Sequence, residues 1–258
     1  MPKIQILGSA SGTEPILNHH HTSVVISVGG DNYFFDAGEN SSRLAHLGGV
    51  DLLNTRAVFI SHTHYDHIGG LAGLFWNIKK LCSRKKSTAK YTEIPLFIPD
   101  IRAWCGISDM LLAGDAKIFK NSFSVVAKKP CESLIYEDEN IKVFAYGTHH
   151  MPTFENGEPR SFSYRIEFDG FSMVYSGDVG SADDLVLPVG DGCDLLMSET
   201  GHHKVKSICD FADSHAVGEL VFYHHGREIL NAMPSVKEAL DACSIKTLLA
   251  SDGLVIER

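Results

Sequence analysis

The apolar positions of this chain fall into short runs with two distinct periods. Residues 3–7, 57–61, 94–98, 141–147, 194–198 and 220–223 are compact apolar runs, most of them bounded by Gly, Pro, Asn or Asp, the pattern of buried strands. Residues 23–28 alternate instead. Gly29-Gly30-Asp31-Asn32 then turns the chain into a short apolar run over 33–36, which predicts a hairpin. A second hairpin is predicted where residues 162–168 and 171–176 flank Asp169-Gly170, and residues 246–250 and 254–256 read as closing strands. Helical spacing occupies 40–47, ended by Gly48-Gly49, and recurs over 68–81, 101–112, 205–214 and 235–242.

Strands that pair as hairpins yet also alternate with helices predict an α/β protein with two mixed β-sheets face to face and helices on the outer faces. A length of 258 residues is enough for one such domain with a full core. No repeat, low-complexity stretch or linker interrupts it, so a single domain over 1–258 is expected. Hydrophobic content of 44% and charged content of 21% are ordinary for a globular chain. The excess of 32 acidic over 23 basic residues, a net charge of -9, opposes broad attraction to nucleic acid. Cys82, Cys105, Cys131, Cys193, Cys209 and Cys243 are scattered with no CxxC pair, which reads as reduced thiols. With no long apolar core near Met1 and no apolar stretch approaching the ~20 residues of a membrane span, a cytoplasmic location without membrane association is expected.

One loop adds chemistry to this picture. Ser61-His62-Thr63-His64-Tyr65-Asp66-His67-Ile68-Gly69-Gly70 sets three imidazoles and a carboxylate within six positions, directly after an apolar run. Both groups offer lone pairs near neutral pH, and borderline metals such as Zn2+ favour nitrogen donors. A strand end followed by a tight turn can aim His62 and His64 at one ion and Asp66 and His67 at a second. The alternative is a polar surface loop that happens to be rich in histidine.

On these residues the chain resembles the metallo-β-lactamase fold superfamily, whose hallmark is HxHxDH, and the resemblance runs through nearly the whole sequence. It implies an αββα sandwich of two mixed sheets. Phe34-Phe35-Asp36-Ala37-Gly38-Glu39 resembles the motif whose aspartate braces the histidine loop, a role suited to orienting ligand imidazoles. Thr148-His149-His150-Met151-Pro152 resembles the segment carrying a third histidine. Adjacent residues of an extended chain point to opposite sides, so one member of the pair is a ligand. Similarity to the ribonuclease Z branch, where His-x-x-Pro precedes a strand like Ser163-Tyr164-Arg165, favours His149 over His150. Tyr175-Ser176-Gly177-Asp178 resembles the strand end whose aspartate bridges both ions, and Leu220-Val221-Phe222-Tyr223-His224 resembles the last motif, with His224 favoured over His225. The implied ligand set is His62, His64 and His149 at one ion, Asp66, His67 and His224 at the other, and Asp178 between them. The implied cofactor is two divalent metal ions, Zn2+ ahead of Mn2+ or Fe2+.

Gly8-Ser9-Ala10-Ser11-Gly12, Asp36-Ala37-Gly38-Glu39 and Asp194-Leu195-Leu196-Met197-Ser198-Glu199-Thr200 resemble the ribonuclease Z-like branch in particular. The resemblance pairs Glu199 with a distal histidine, His203 before His202, able to protonate a leaving alkoxide or clamp a phosphate oxygen. Asp66, Asp178, Glu199 and His203 are therefore the expected catalytic residues. Members that process transfer RNA precursors carry a long Gly/Pro-rich arm between the Tyr-Arg strand and the Gly-Asp motif. Here Arg165 to Ser176 has the length of a plain hairpin. The expected activity is thus hydrolysis of a small, phosphate-bearing molecule, a cyclic or short nucleotide diester, by a metal-bridging hydroxide, with tRNA disfavoured.

The same two ions would serve a lactone or thioester equally, and a non-catalytic metal-stabilised binding module is the bland alternative. A redox di-iron protein fits less well, because that branch replaces a histidine of HxHxDH with a carboxylate. Lys79-Lys80, Arg84-Lys85-Lys86 and Lys90 could attract phosphate but read first as the solvated end of a helix. His19-His20-His21 and the Glu/Pro/Gly-rich residues 151–161 read as loops near the pocket mouth. A homodimer is allowed by the sequence and not specified by it.

Overall fold

The computed structural model describes residues 1–86, 88–119 and 122–258. Its strands, in chain order, are β1 (Lys3–Gly8), β2 (Ser23–Val28), β3 (Asp31–Phe35), β4 (Thr55–Phe59), β5 (Glu93–Phe97), β6 (Ser124–Lys128), β7 (Ser133–Glu137), β8 (Lys142–Gly147), β9 (Phe162–Phe168), β10 (Phe171–Tyr175), β11 (Cys193–Glu199), β12 (Val217–Tyr223), β13 (Lys246–Leu249) and β14 (Val255–Glu257). The chain divides into two compact units, each with its own seven-stranded sheet. The first comprises Met1–Gly8, Leu17–Pro130 and Asp252–Arg258; the second comprises Ser9–Ile16 and Cys131–Ser251. Two mixed sheets with helices were expected, and the structure has them.

In the first unit the order is β14-β1-β2-β3-β4-β5-β6. Strands β14, β1, β2 and β3 pair antiparallel, whereas β3 through β6 run parallel. Parallel strands need crossovers, and helices Ser41–Leu47, Leu71–Lys85 and Ile101–Gly114 supply them. Helix Leu71–Lys85 buries Leu71, Leu74, Phe75, Ile78 and Cys82, one stripe of a 3.6-residue period, in a core with Phe34, Val58, Ile60, Leu96 and Trp104. Each such side chain contributes about 1.5–3 kcal/mol by leaving water. On the opposite face of the same strands Phe35, Phe59 and Phe97 stack at centroid distances of 4.9 and 5.1 Å. The helix predicted over 68–81 starts later, because Gly69 and Gly70 separate a short turn, Tyr65–Ile68, from the main helix.

In the second unit the order is β13-β12-β11-β10-β9-β8-β7. Strands β10 to β13 are parallel, and β10, β9, β8 and β7 pair antiparallel. The predicted hairpin of β9 and β10 is present, with Asp169 (φ 50°) and Gly170 (φ 74°) as its two turn residues. Helices Val205–Ser214 and Pro234–Ala242 bury Ile208, Phe211, Val236 and Ala239 against Val174, Leu196, Leu220 and Phe222. Arg165 on β9 donates from Nη1 to the carbonyls of Pro188, Val189 and Gly192 at 3.0–3.1 Å, a structural role for the Tyr-Arg strand. Strands β6 and β7 were not predicted. They are edge strands with no fully buried residue, so neither carries the apolar run on which sequence reading depends. Among the described residues no helix is long and apolar enough to cross a membrane.

Candidate metal centre

Parallel β3 and β4 deliver their C-terminal ends to the same edge of the first sheet, where loops project away from the ladder. Asp36 follows β3 in a left-handed conformation (φ 57°), pinned by its N–H to the Phe59 carbonyl at 2.8 Å. Its carboxylate is fully buried. Oδ1 accepts from the Ser61 N–H and Oδ2 from the Ser61 hydroxyl, each at 2.7 Å, and His67 Nδ1 lies 2.7 Å from Oδ2. With its Nδ1 proton on Asp36, His67 presents Nε2 as the lone pair. That is the brace expected of Asp36.

The same loop holds the remaining candidate ligands of the motif. His62 Nδ1 sits 3.1 Å from the Ser61 hydroxyl, which turns Nε2 outward, 2.9 Å from His64 Nδ1. His67 Nε2 sits 3.4 Å from Asp66 Oδ2. The donor atoms therefore pair as His62 with His64 and Asp66 with His67. Gly38 allows this loop its close approach, since a Cβ there would lie 2.5 Å from the Asp66 carbonyl oxygen.

In the second unit β8, β10, β11 and β12 all point one way, because β8 and β10 each run antiparallel to β9. Their ends bring His150, Asp178, Glu199, His202 and His224 together. Asp178 is 1% exposed and lies 3.4 Å from His224 Nε2, 3.5 Å from His202 Nδ1 and 3.6 Å from His150 Nε2. These separations exceed hydrogen-bond lengths. They match ligands sharing an ion: two donors about 2.0–2.2 Å from one metal at a tetrahedral angle stand about 3.3–3.6 Å apart. One ligand atom each from Asp178, His202 and His224 lies within 4.8 Å of the others. The residues present fit a divalent cation.

Three of the ambiguous histidine pairs separate in the structure. His149, the favoured candidate, is not brought to Asp178: its side chain is 87% exposed, with Nδ1 2.5 Å from Asp184 Oδ1. Leaving β8, neighbouring residues point to opposite sides, and it is His150 that faces Asp178. His203, also favoured, donates from Nε2 to the Val179 carbonyl at 2.9 Å and lies 3.6 Å from Glu199. His202 lies nearer, with Nδ1 3.3 Å from Glu199 Oε1 and its N–H donating to Oε2 at 2.9 Å. His224 faces Asp178, whereas His225 is buried with Nε2 donating to the Ala250 carbonyl at 2.7 Å.

Asp184 is the residue that sequence reading missed. Its Oδ2 accepts from the N–H groups of His149 and Gly180 at 2.9 and 2.8 Å, so one carboxylate ties the loop carrying His150 to the loop after Asp178. Burial opposes its charge, but the His149 ring and both backbone donors outweigh burial and hold its carboxyl below the usual range. Reciprocally, that hydrogen bond raises the His149 imidazole. In sequence Asp183-Asp184 reads only as acidic residues opening a helical turn after Ser181, and no motif marks the second of them.

Comparison with known proteins gives the family and the fold. Residues 2–210 match the family model described as Anti-Pycsar protein Apyc1. The ribonuclease Z of Methanothermobacter thermautotrophicus is 35% identical over 270 residues, covering 87% of this chain and 86% of that protein. The ribonuclease Z of Borreliella burgdorferi is 31% identical over 211 residues; the match covers 76% of this chain but 59% of that relative's length. Among solved structures, the metallo-β-lactamase fold protein YhfI from Bacillus subtilis aligns with a TM-score of 0.77 at 21% identity, over 100% of this chain and 99% of that one. The latter likeness is one of fold.

Proposed function

The chain belongs to the Anti-Pycsar protein Apyc1 family and to the ribonuclease Z-like branch of metal-dependent hydrolases with the metallo-β-lactamase fold, and on that premise we propose that it hydrolyses a phosphodiester in a small, nucleotide-type substrate. In this reading His62, His64 and His150 would hold one divalent ion, Asp66, His67 and His224 would hold a second, and Asp178 is the carboxylate available to both. When bound, such a pair acidifies water and polarises the phosphoryl oxygen. The chain's own groups do the rest. Asp36 keeps the His67 lone pair on Nε2, and Asp184 fixes the backbone on either side of the ligand loops. His202 lies as near Asp178 as a ligand would, but its side chain is 45% exposed and backed by the fully buried Glu199, and we assign it to protonating the leaving oxygen rather than to an ion. His203, committed to a backbone carbonyl, is not assigned that step.

The observation that carries this reading is the pair of imidazole nitrogens, from His150 and His224, facing one buried aspartate, with the Glu199–His202 pair beside it. A small substrate is supported by the two-residue turn between β9 and β10, which leaves no arm for a folded RNA, and by the net charge of -9. The test is a turnover screen of protein reconstituted with Zn2+ or Mn2+. The panel contains bis-p-nitrophenyl phosphate, a 3′,5′-cyclic nucleotide, a lactone and a thioester. Diesters should be cleaved, and His64→Ala and Asp178→Ala should each lower that rate by about a hundredfold or more. Turnover confined to the carbonyl substrates, or variants that keep the wild-type rate, would overturn the assignment.

A further inference from the structure

Tyr65 stands between two proposed ligands, His64 and Asp66, and no step above uses it. It is 68% exposed, the only Phe, Tyr or Trp of the described residues in the exposed class. Single exposed apolar groups are common on protein surfaces. This one differs in being held. A Cβ on Gly69 would lie 2.9 Å from Tyr65 Cζ and 3.0 Å from Cε1, so the ring rests directly on the bare glycine backbone, whose N–H also donates to the Tyr65 carbonyl at 2.6 Å. His21 meets the ring edge-on, with centroids 6.4 Å apart and planes at 87°. That histidine is itself fixed: its backbone and the Asp66 carbonyl both close on the position a Gly38 side chain would fill, and the Gly38 N–H donates to the Thr22 carbonyl. Glycine beneath and histidine at the rim leave a rigid aromatic face open to solvent, one residue from the ligands.

A pre-oriented aromatic face beside a phosphate-processing centre suits one kind of partner, a flat π-system attached to the phosphate through a short linker. Nucleobases are such groups, and stacking tolerates any base because each has a π-face. We infer that Tyr65, seated on Gly69 and flanked by His21, is the stacking platform for the base of a nucleotide substrate. This rests on the phosphodiester reading above and adds to it the residue that recognises the base.

The test is calorimetric binding of adenosine 5′-monophosphate, cytidine 5′-monophosphate and ribose 5-phosphate to metal-loaded wild type, Tyr65→Ala, Tyr65→Trp and Gly69→Ala, with metal content measured for each. Wild type should bind both nucleotides about tenfold or more tightly than ribose 5-phosphate. That ratio should persist in Tyr65→Trp and collapse to within about twofold in Tyr65→Ala; Gly69→Ala, which lifts the ring from its seat, should reduce it. A wild-type ratio near one, or a ratio that survives in Tyr65→Ala, overturns the platform. Turnover of bis-p-nitrophenyl phosphate, read in parallel, judges the hydrolase reading separately. Its absence would sink that reading while the binding ratio still decides the role of Tyr65.

Discussion

Replacing Asp36 with asparagine isolates the orientation of a ligand from its identity. The carboxylate accepts from three donors at 2.7 Å: the Ser61 N–H, the Ser61 hydroxyl and His67 Nδ1–H. An amide of the same shape offers one oxygen and one NH2. With the oxygen on the Ser61 N–H, the NH2 faces the other two donors, and each must reverse its role. The Ser61 hydroxyl can rotate. The His67 ring can comply only by moving its proton to Nε2, the nitrogen that lies 3.4 Å from Asp66 and that we assign to the metal. Replacing such a brace typically lowers metal affinity 10–100-fold, about 1.4–2.8 kcal/mol. If the ring instead keeps its Nδ1 proton, a buried donor facing another donor costs about 1–3 kcal/mol of fold stability, with or without metal.

Two measurements separate these terms. Competition against a chromophoric zinc chelator reads the affinity, and urea denaturation of the metal-free protein reads the stability. Asp36→Asn should weaken metal binding by one to two orders of magnitude, whereas Ser61→Ala, which leaves the His67–Asp36 bond in place, should weaken it far less. Affinity within twofold of wild type in a folded Asp36→Asn protein would mean that Asp36 does not set the His67 tautomer. The buried carboxylate would then have no part in orienting that imidazole.

Two further outcomes follow from the separated histidine pairs. His150→Ala should reduce bound metal, read by elemental analysis after reconstitution, while His149→Ala should keep the wild-type metal content; the reverse pattern would restore His149 as the ligand. His202→Ala should lose more rate with an alkyl leaving group than with p-nitrophenolate, by about tenfold or more, because only the poor leaving group needs a proton. Equal losses on both substrates, or the same selectivity in His203→Ala, would remove His202 from that role.

What the sequence made legible was whatever a short window contains. The loop from Ser61 to Gly70 carries both its ligand types and its strand-end position in ten residues, and the β9–β10 hairpin is announced by Asp169-Gly170 between apolar runs. The choice within His149-His150 and His202-His203 was not legible, because it depends on groups 20–40 residues distant. Asp184 takes the His149 ring, Asp178 faces His150, and the Val179 carbonyl engages His203. Edge strands β6 and β7 escaped for a different reason: half-exposed on the sheet rim, they bury too little to impose a pattern. The exposed face of Tyr65 was invisible too, since its seat is the absence of a side chain at Gly69.

The strand ends that carry the centre share one backbone device. Asp36 after β3, Gly177 beyond β10 and His224 after β12 all have left-handed φ, at 57°, 55° and 50°. One left-handed residue breaks the alternation of a strand and turns the chain, so that the residues around it can present side chains at the sheet edge. Where the turning residue needs no side chain, the position is glycine, as at Gly177. At positions 36 and 224 the turning residue is itself the brace or the proposed ligand, so the conformational penalty is retained, about 1–2 kcal/mol for a residue such as histidine. Neighbouring bonds hold it there. The Asp36 N–H is fixed to the Phe59 carbonyl, and His225, next to His224, bonds through its backbone to Ser9 and Ser11 on both sides. Non-glycine left-handed residues also occur at Asn18, Asn40, Lys86, Asp169 and Ala232, but at positions 36 and 224 the strain falls on side chains that the proposed chemistry uses, where a glycine would remove the brace or the proposed ligand.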